Sequence, residues 1–123
     1  MATTVRNAER KRVEKVWGYE EPIVNTPDYC GKRMGLKHGF RCSMHQHKVK
    51  DETFYIQSGV MRLELNSAEY DLGPGDSVRI MPGDWHRFSA YHGPVVFYEF
   101  STHDSPSDSY RRELSGPIPN LPS

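Results

Sequence analysis

MHQHKVKDETFYIQSG, residues 44–59, sets two histidines one residue apart, then a glutamate, then an alternating apolar run that stops at glycine. It reads either as a polar loop leading into a strand or as three ligands of one metal ion. Side chains two apart on a strand point to the same side, so His45 and His47 project together. The same parity separates the two neighbouring carboxylates. Glu52 shares a face with Phe54 and Ile56, the residues suited to point inward, whereas Asp51 falls on the other face. A fourth donor comes from MPGDWHRFSA, residues 81–90, where Pro82-Gly83 turns the chain and His86 opens a strand with Phe88 on its own face. Three imidazoles and one carboxylate suit a divalent first-row metal such as Mn, Fe, Co, Ni or Zn. Positions left open for water or substrate would make such a centre reactive.

Outward from this stretch, glycine and proline punctuate the chain at short intervals. PIVN, KRMGLKHG, FRCSMHQH, ETFYIQ, VMRLEL, AEYDL, SVRIM, HRFSAY and PVVFYEF read as strands. In VMRLEL, Met61, Leu63 and Leu65 share one face and Arg62 and Glu64 the other, as in a half-buried strand. Ser58-Gly59 predicts a hairpin between ETFYIQ and VMRLEL, and LGPGD at residues 72–76 predicts a tight turn. Only residues 8–16 could make a helix of any length. Many short antiparallel strands predict an all-β sandwich or barrel. The expected divisions are an N-terminal arm or short helix at 1–16, the barrel at 17–104, and a polar, proline-rich tail at 105–123 that wraps the surface or stays mobile.

The bulk properties narrow the function classes. A chain of 123 residues makes one domain with a real core. Sixteen basic residues balance sixteen acidic ones, which argues against nucleic acid as the main partner. The basic run ERKRVEK, residues 9–15, contains acids and reads as a solvated helix turn or arm. No stretch approaches the roughly 18 apolar residues that span a bilayer, and the opening residues lack the apolar segment of a signal peptide. A cytoplasmic protein with no membrane partner is expected, with Cys30 and Cys42 as reduced thiols.

The segment Gly39-FRCSM-His45-Q-His47-KVKD-Glu52-TFYIQS-Gly59 resembles the first cupin motif at every fixed position. The second motif is met at Gly75, Gly83 and His86; Met81 stands where that pattern has proline, with Pro82 one place later, and Ala90 stands at its asparagine. The resemblance implies a small jelly-roll barrel, or double-stranded β-helix, in which His45, His47, Glu52 and His86 hold the metal. It also implies a homodimer formed through edge strands, for which residues 19–25 are the candidate. Residues 14–34 are similar to the entry segment of the sugar-isomerase branch of cupins, which includes D-lyxose isomerases and the cupin domains of phosphomannose isomerases. FYEFSTHDSPSDSYR, residues 97–111, is similar to the ending of the same group.

That branch implies aldose–ketose isomerisation of a small-molecule substrate, a sugar or sugar phosphate, through an enediol. The metal would polarise adjacent oxygens, and a base would move the proton between neighbouring carbons. Glu99 is the candidate base. It interrupts the apolar run VVFYEF in step with Phe97, where burial would raise its pKa; the alternative is an outward residue in a salt bridge. Lys32, Lys37 and Arg87 are candidate contacts to a hydroxyl or phosphate. Tyr55 and Tyr91 could donate to a polyol, and Trp17 could stack on a sugar face or plug the core. Trp85 belongs to the rim, while His38, His92 and His103 read as solvent-facing or supporting groups. Two other classes remain: an iron-dependent cupin dioxygenase, and a non-enzymatic metal-bearing sugar-binding cupin.

Overall fold

Alternation along short segments becomes a pair of facing antiparallel sheets in the computed structural model, which describes residues 11–121. In chain order the strands are β1 Val13–Lys15, β2 Gly18–Asn25, β3 Cys30–Leu36, β4 Phe40–Arg41, β5 Met44–Gln46, β6 Glu52–Ser58 and β7 Met61–Leu65. They continue as β8 Ala68–Leu72, β9 Ser77–Ile80, β10 His86–Ser89, β11 Val95–Ser101, β12 Tyr110–Glu113 and β13 Gly116–Pro117. A single 3-10 turn, Pro106–Asp108, is the one helical element among the described residues. None of their helices is long and apolar enough to cross a membrane. One sheet runs β1-β2-β3-β11-β6-β9; the other runs β12-β5-β10-β4-β13, with β7 also on β10 and β8 on β7. This is the expected all-β jelly-roll.

Two local expectations are corrected. The helix at 8–16 is not formed where the structure describes it; residues 8–10 lie outside the described residues, and Val13–Lys15 is strand β1. Pairing of Val13 with Glu20 and Lys15 with Gly18, and the Arg12 guanidinium 3.7 Å from the Tyr19 ring, outweigh a weak helical pattern. Ser58-Gly59 does not close a hairpin either. β6 pairs with β11 and β9, whereas β7 pairs with β10 and β8, so the chain changes sheets there. Gly59 has φ +80°, and a Cβ on it would lie 2.3 Å from the Pro94 carbonyl oxygen. The two-residue hairpin instead joins β7 to β8 through Asn66 and Ser67, both with positive φ. The turn at 72–76 is present, closed by Asp76, whose carboxylate accepts from the Gly73 N–H at 2.8 Å; it too carries the chain between sheets.

The core fills the space between the sheets. Phe54 from β6, Phe88 from β10 and Phe97 from β11 meet edge to face, with centroids 5.1–5.9 Å apart, and Trp17 caps Phe88 at 5.0 Å. Each of these strands carries its inward row onward to a polar residue. On β6 the row Ile56, Phe54 ends at Glu52; on β11 Val95, Phe97 ends at Glu99; on β10 Phe88 is followed by His86. All three polar residues are fully buried. At one end the apolar core therefore becomes a cluster of ionisable groups. Residues beyond 104 flank it: β12 pairs with β5 and β13 with β4. Cys30 and Cys42 are buried and unpaired.

Candidate metal centre and its cavity

His45 on β5 stands directly opposite His86 on β10, and His47 follows β5 by one residue. The three rings sit with centroids 4.3–5.4 Å apart, and their ligand atoms all lie within 4.8 Å of one another, so they form a three-histidine group that could hold a metal ion. Each ring is oriented through Nδ1 by a backbone carbonyl. His45 meets Ser43 O at 2.8 Å, His47 meets Asp108 O at 2.8 Å, and His86 meets Asp84 O at 2.9 Å. A carbonyl only accepts, so each Nδ1 carries the proton and each Nε2 is left as the basic nitrogen.

The fourth candidate ligand supplies the tension in the site. Glu52 Oε2 lies 3.2 Å from His47 Nε2 and 3.3 Å from His86 Nε2. Both Glu52 Oε2 and His86 Nε2 are buried with no hydrogen bond. A carboxylate oxygen facing basic nitrogens in a dry site is unfavourable unless something positive lies between them. Burial, reinforced by His86, presses the pKa of His45 down to about 3, so that ring is neutral. Burial opposes charge on His47 as well, but Glu52 beside it prevails and raises its pKa. Burial pushes Glu52 up, and His47, His86 and Lys50 more than reverse it, holding its carboxyl well below the usual range. A proton on His47 answers one contact and leaves His86 without a donor. Three neutral imidazoles with one ionised carboxylate are a donor set that fits a divalent transition metal.

Beside this group runs a chain of ion pairs. Lys50 Nζ lies 3.1 Å from Glu99 Oε2, 2.9 Å from Asp104 Oδ1 and 3.6 Å from Glu52 Oε1. Lys32 Nζ lies 2.8 Å from both Glu20 Oε1 and Asp104 Oδ2, and Lys15 Nζ lies 3.2 Å from Glu20 Oε2. Asp104 feels burial but is held down to about 2 by Lys32 and Lys50. Both lysines pay desolvation, yet Glu99 and the other acids around them raise their pKa values and keep them charged. Glu99 goes the other way: burial, followed by the Glu52 charge, pushes it up to about 7 against the pull of the two lysines. A cavity of about 440 Å³ opens onto His45, His47, Glu52, Lys50, Lys32 and Glu99, with Trp17, Met34, Phe54 and Phe88 as its apolar wall.

The candidate residues thus separate. Glu99 points inward, directly opposite Lys32, and both line the cavity. Trp17 both packs on Phe88 and lines it. Arg87 does not reach the cavity, and its expected contact with substrate is corrected accordingly. Alternation puts it on the opposite face from His86 and Phe88, where the C-terminal segment covers it. Its guanidinium donates to Cys42 O at 2.9 Å, Glu113 Oε1 at 2.8 Å and Leu114 O at 3.2 Å. Lys37 lies over the Phe40 ring, Tyr91 lies under Arg62, and Tyr55 is exposed on the outer face; none lines the cavity. Trp85 is covered by Arg112. His38 and His103 bond the carbonyls of Tyr91 and Thr26, and His92 is exposed. Lys50, Asp104, Glu20 and Arg111 line the cavity without having been singled out in the sequence. Lys50 had a signal, since it precedes Glu52 by two. Asp104 and Arg111 lie in a polar run with no local pattern.

A model of the cupin domain matches residues 32–101, more than half of the chain. A D-lyxose/D-mannose isomerase of Thermosediminibacter oceani is 28% identical over 126 residues, covering 80% of this chain and 70% of that protein. Among solved structures, KdgF from Halomonas sp. superposes with a TM-score of 0.75 at 18% identity, covering 87% of this chain and 98% of that one. The capsular polysaccharide assembling protein CapF from Staphylococcus aureus gives 0.76 at 20%, covering 86% of this chain and 35% of CapF. At these identities the two structures speak to the fold alone. With the domain match spanning both histidine-bearing motifs, and with inward histidines set on paired strands, the chain belongs to the cupin family.

Proposed function

We propose that this protein is a metal-dependent isomerase that interconverts aldose and ketose forms of a sugar or sugar phosphate. One observation carries the reading: Glu99, a buried carboxyl with its pKa raised to about 7, shares a 440 Å³ cavity with His45 and His47 of the three-histidine group. Likeness to a D-lyxose/D-mannose isomerase supports the choice of sugar as substrate class.

In this reading His45, His47, His86 and Glu52 would hold a divalent ion drawn from Mn, Fe, Co, Ni or Zn. The chemistry it supplies when bound is Lewis-acid polarisation of adjacent carbonyl and hydroxyl oxygens. Glu99 takes the proton from the carbon beside the carbonyl and returns it to the neighbouring carbon. Lys50 Nζ and Ser101 Oγ both donate to Glu99 Oε2, each at 3.1 Å, which fixes the carboxyl plane and leaves Oε1 the less engaged oxygen. Lys32 serves by holding Glu20 and Asp104, because its ammonium is already shared between them. Phe54, Phe88 and Trp17 exclude water from one side and offer a flat apolar wall to sugar C–H groups.

The test is NMR in D₂O on a panel of pentoses, hexoses and their phosphates, with each of the five metals added. Deuterium entering at carbon, together with ketose formation, is the expected result. No exchange with any sugar contradicts the reading: binding alone would make the protein a sugar-binding module, and oxygen consumption with iron would make it a dioxygenase.

A further inference from the structure

We infer that Arg111 is an anion-binding residue of the cavity, so that the sugar handled here carries a phosphate or carboxylate group. The inference takes from the functional reading only that a sugar enters this cavity. It starts from an imbalance among the cations. Four basic side chains line the cavity: Lys15, Lys32, Lys50 and Arg111. The first three are saturated, Lys15 by Glu20, Lys32 by Glu20 and Asp104, Lys50 by Glu52, Glu99 and Asp104. The side chain of Arg111 makes no hydrogen bond, ion pair or ring contact with any described residue. Glu14, the other charged residue on the cavity wall, has Arg12 at 3.9 Å as its partner.

Register aims this unused guanidinium at the site. Arg111 on β12 is directly opposite His45 on β5, and His45 is directly opposite His86 on β10. Directly opposed residues of antiparallel strands project to the same face, with Cβ atoms about 5 Å apart. Arg111, His45 and His86 thus form one row, and Arg111 lines the same cavity as His45 and His47. Arg112, the next residue, lies over Trp85 instead.

The acids decide what Arg111 meets. Glu20, Glu99 and Asp104 surround Lys32 and Lys50 on the cavity wall, where an anionic group would be repelled and would find no free cation. A phosphate or carboxylate is therefore accepted only with its charge at Arg111 and its carbonyl end toward the histidines. The planar fork of a guanidinium matches either oxyanion in a bidentate manner.

The experiment is calorimetric titration of the full chain, as purified and after chelation, with three ligands on one skeleton: D-mannose, D-mannose 6-phosphate and D-mannuronate. At least one anionic ligand should bind about tenfold or more tightly than D-mannose, and the arm that wins distinguishes phosphate from carboxylate. Arg111→Gln should weaken that ligand by about 10- to 100-fold and leave D-mannose unchanged. Arg111→Lys should recover part of the loss, and Arg112→Gln should change nothing. Equal affinity for neutral and anionic ligands overturns the inference, as does a loss in Arg111→Gln that is the same for all three. Circular dichroism confirms that each variant is folded. The outcomes separate the two proposals. Arg111-dependent anion binding without proton exchange at carbon keeps this inference and removes the isomerase. Exchange confined to neutral sugars and unchanged in Arg111→Gln does the reverse.

Discussion

At the scale of the residue, Glu99 shows how burial and neighbours set a side chain's working range. It closes the inward row of β11, where it meets Lys50 and faces the charge of Glu52. If Glu99 is the base proposed above it must be ionised to act, so with a pKa of about 7 the rate should rise as pH increases through neutrality and fall below it. Glu99→Gln should retain metal and fold while losing about 100-fold or more in turnover, measured beside metal content on the same preparation. Asp104, whose pKa is shifted in the opposite direction, gives a stability signature at lower pH. Its folded pKa of about 2 lies below the ordinary 3.8, so its contribution is complete above about pH 4 and disappears as pH falls toward 2. Denaturant midpoints across that window should fall in the native chain and fall less in Asp104→Asn.

At the scale of the element, much of the fold was legible because each strand is decided by its own alternation. Parity in ETFYIQ separated Glu52 from Asp51. In the structure Glu52 is buried among the histidines, whereas Asp51 turns outward to pair with Arg79 at 2.7 Å. Connections were less legible, because the same Ser-Gly pair can fold a strand back or pass it to the facing sheet. Only the partners of β6 and β7, far away in sequence, decide which. Gly59 carries the cost of that passage. Gly59→Ala should destabilise by at least about 2 kcal/mol, since it combines a left-handed φ with a clash against the Pro94 backbone. Gly75→Ala, with a similar φ of +90° but nothing within 4 Å of the added methyl, should cost only about 1 kcal/mol. Equal shifts in urea midpoint for the two variants would contradict this account of the sheet change. Lys50, Asp104 and Arg111 escaped the sequence for the same non-local reason: 54 residues separate the Lys50–Asp104 pair, and Arg111 gains its direction only from pairing with β5.

At the scale of the molecule, the barrel is an apolar core with a polar end built to be completed. The Phe54–Phe88–Phe97 cluster and Trp17 form a floor that needs nothing further. Above it, Glu52 Oε2 and His86 Nε2 are buried without hydrogen bonds. A ligand that binds only the folded chain stabilises it by mass action, by about 2.7 kcal/mol at a hundredfold excess over Kd. Chelation should therefore lower the Tm of the native protein by several degrees, and leave that of His45→Ala unchanged. The most direct measurement is elemental analysis after equilibrium dialysis against Mn, Fe, Co, Ni and Zn in turn, on the native chain and on His45→Ala, with folding checked by circular dichroism. The account predicts one tightly held divalent ion per native chain and loss of tight binding in the folded variant; full metal content in His45→Ala, or none in the native chain, would contradict it.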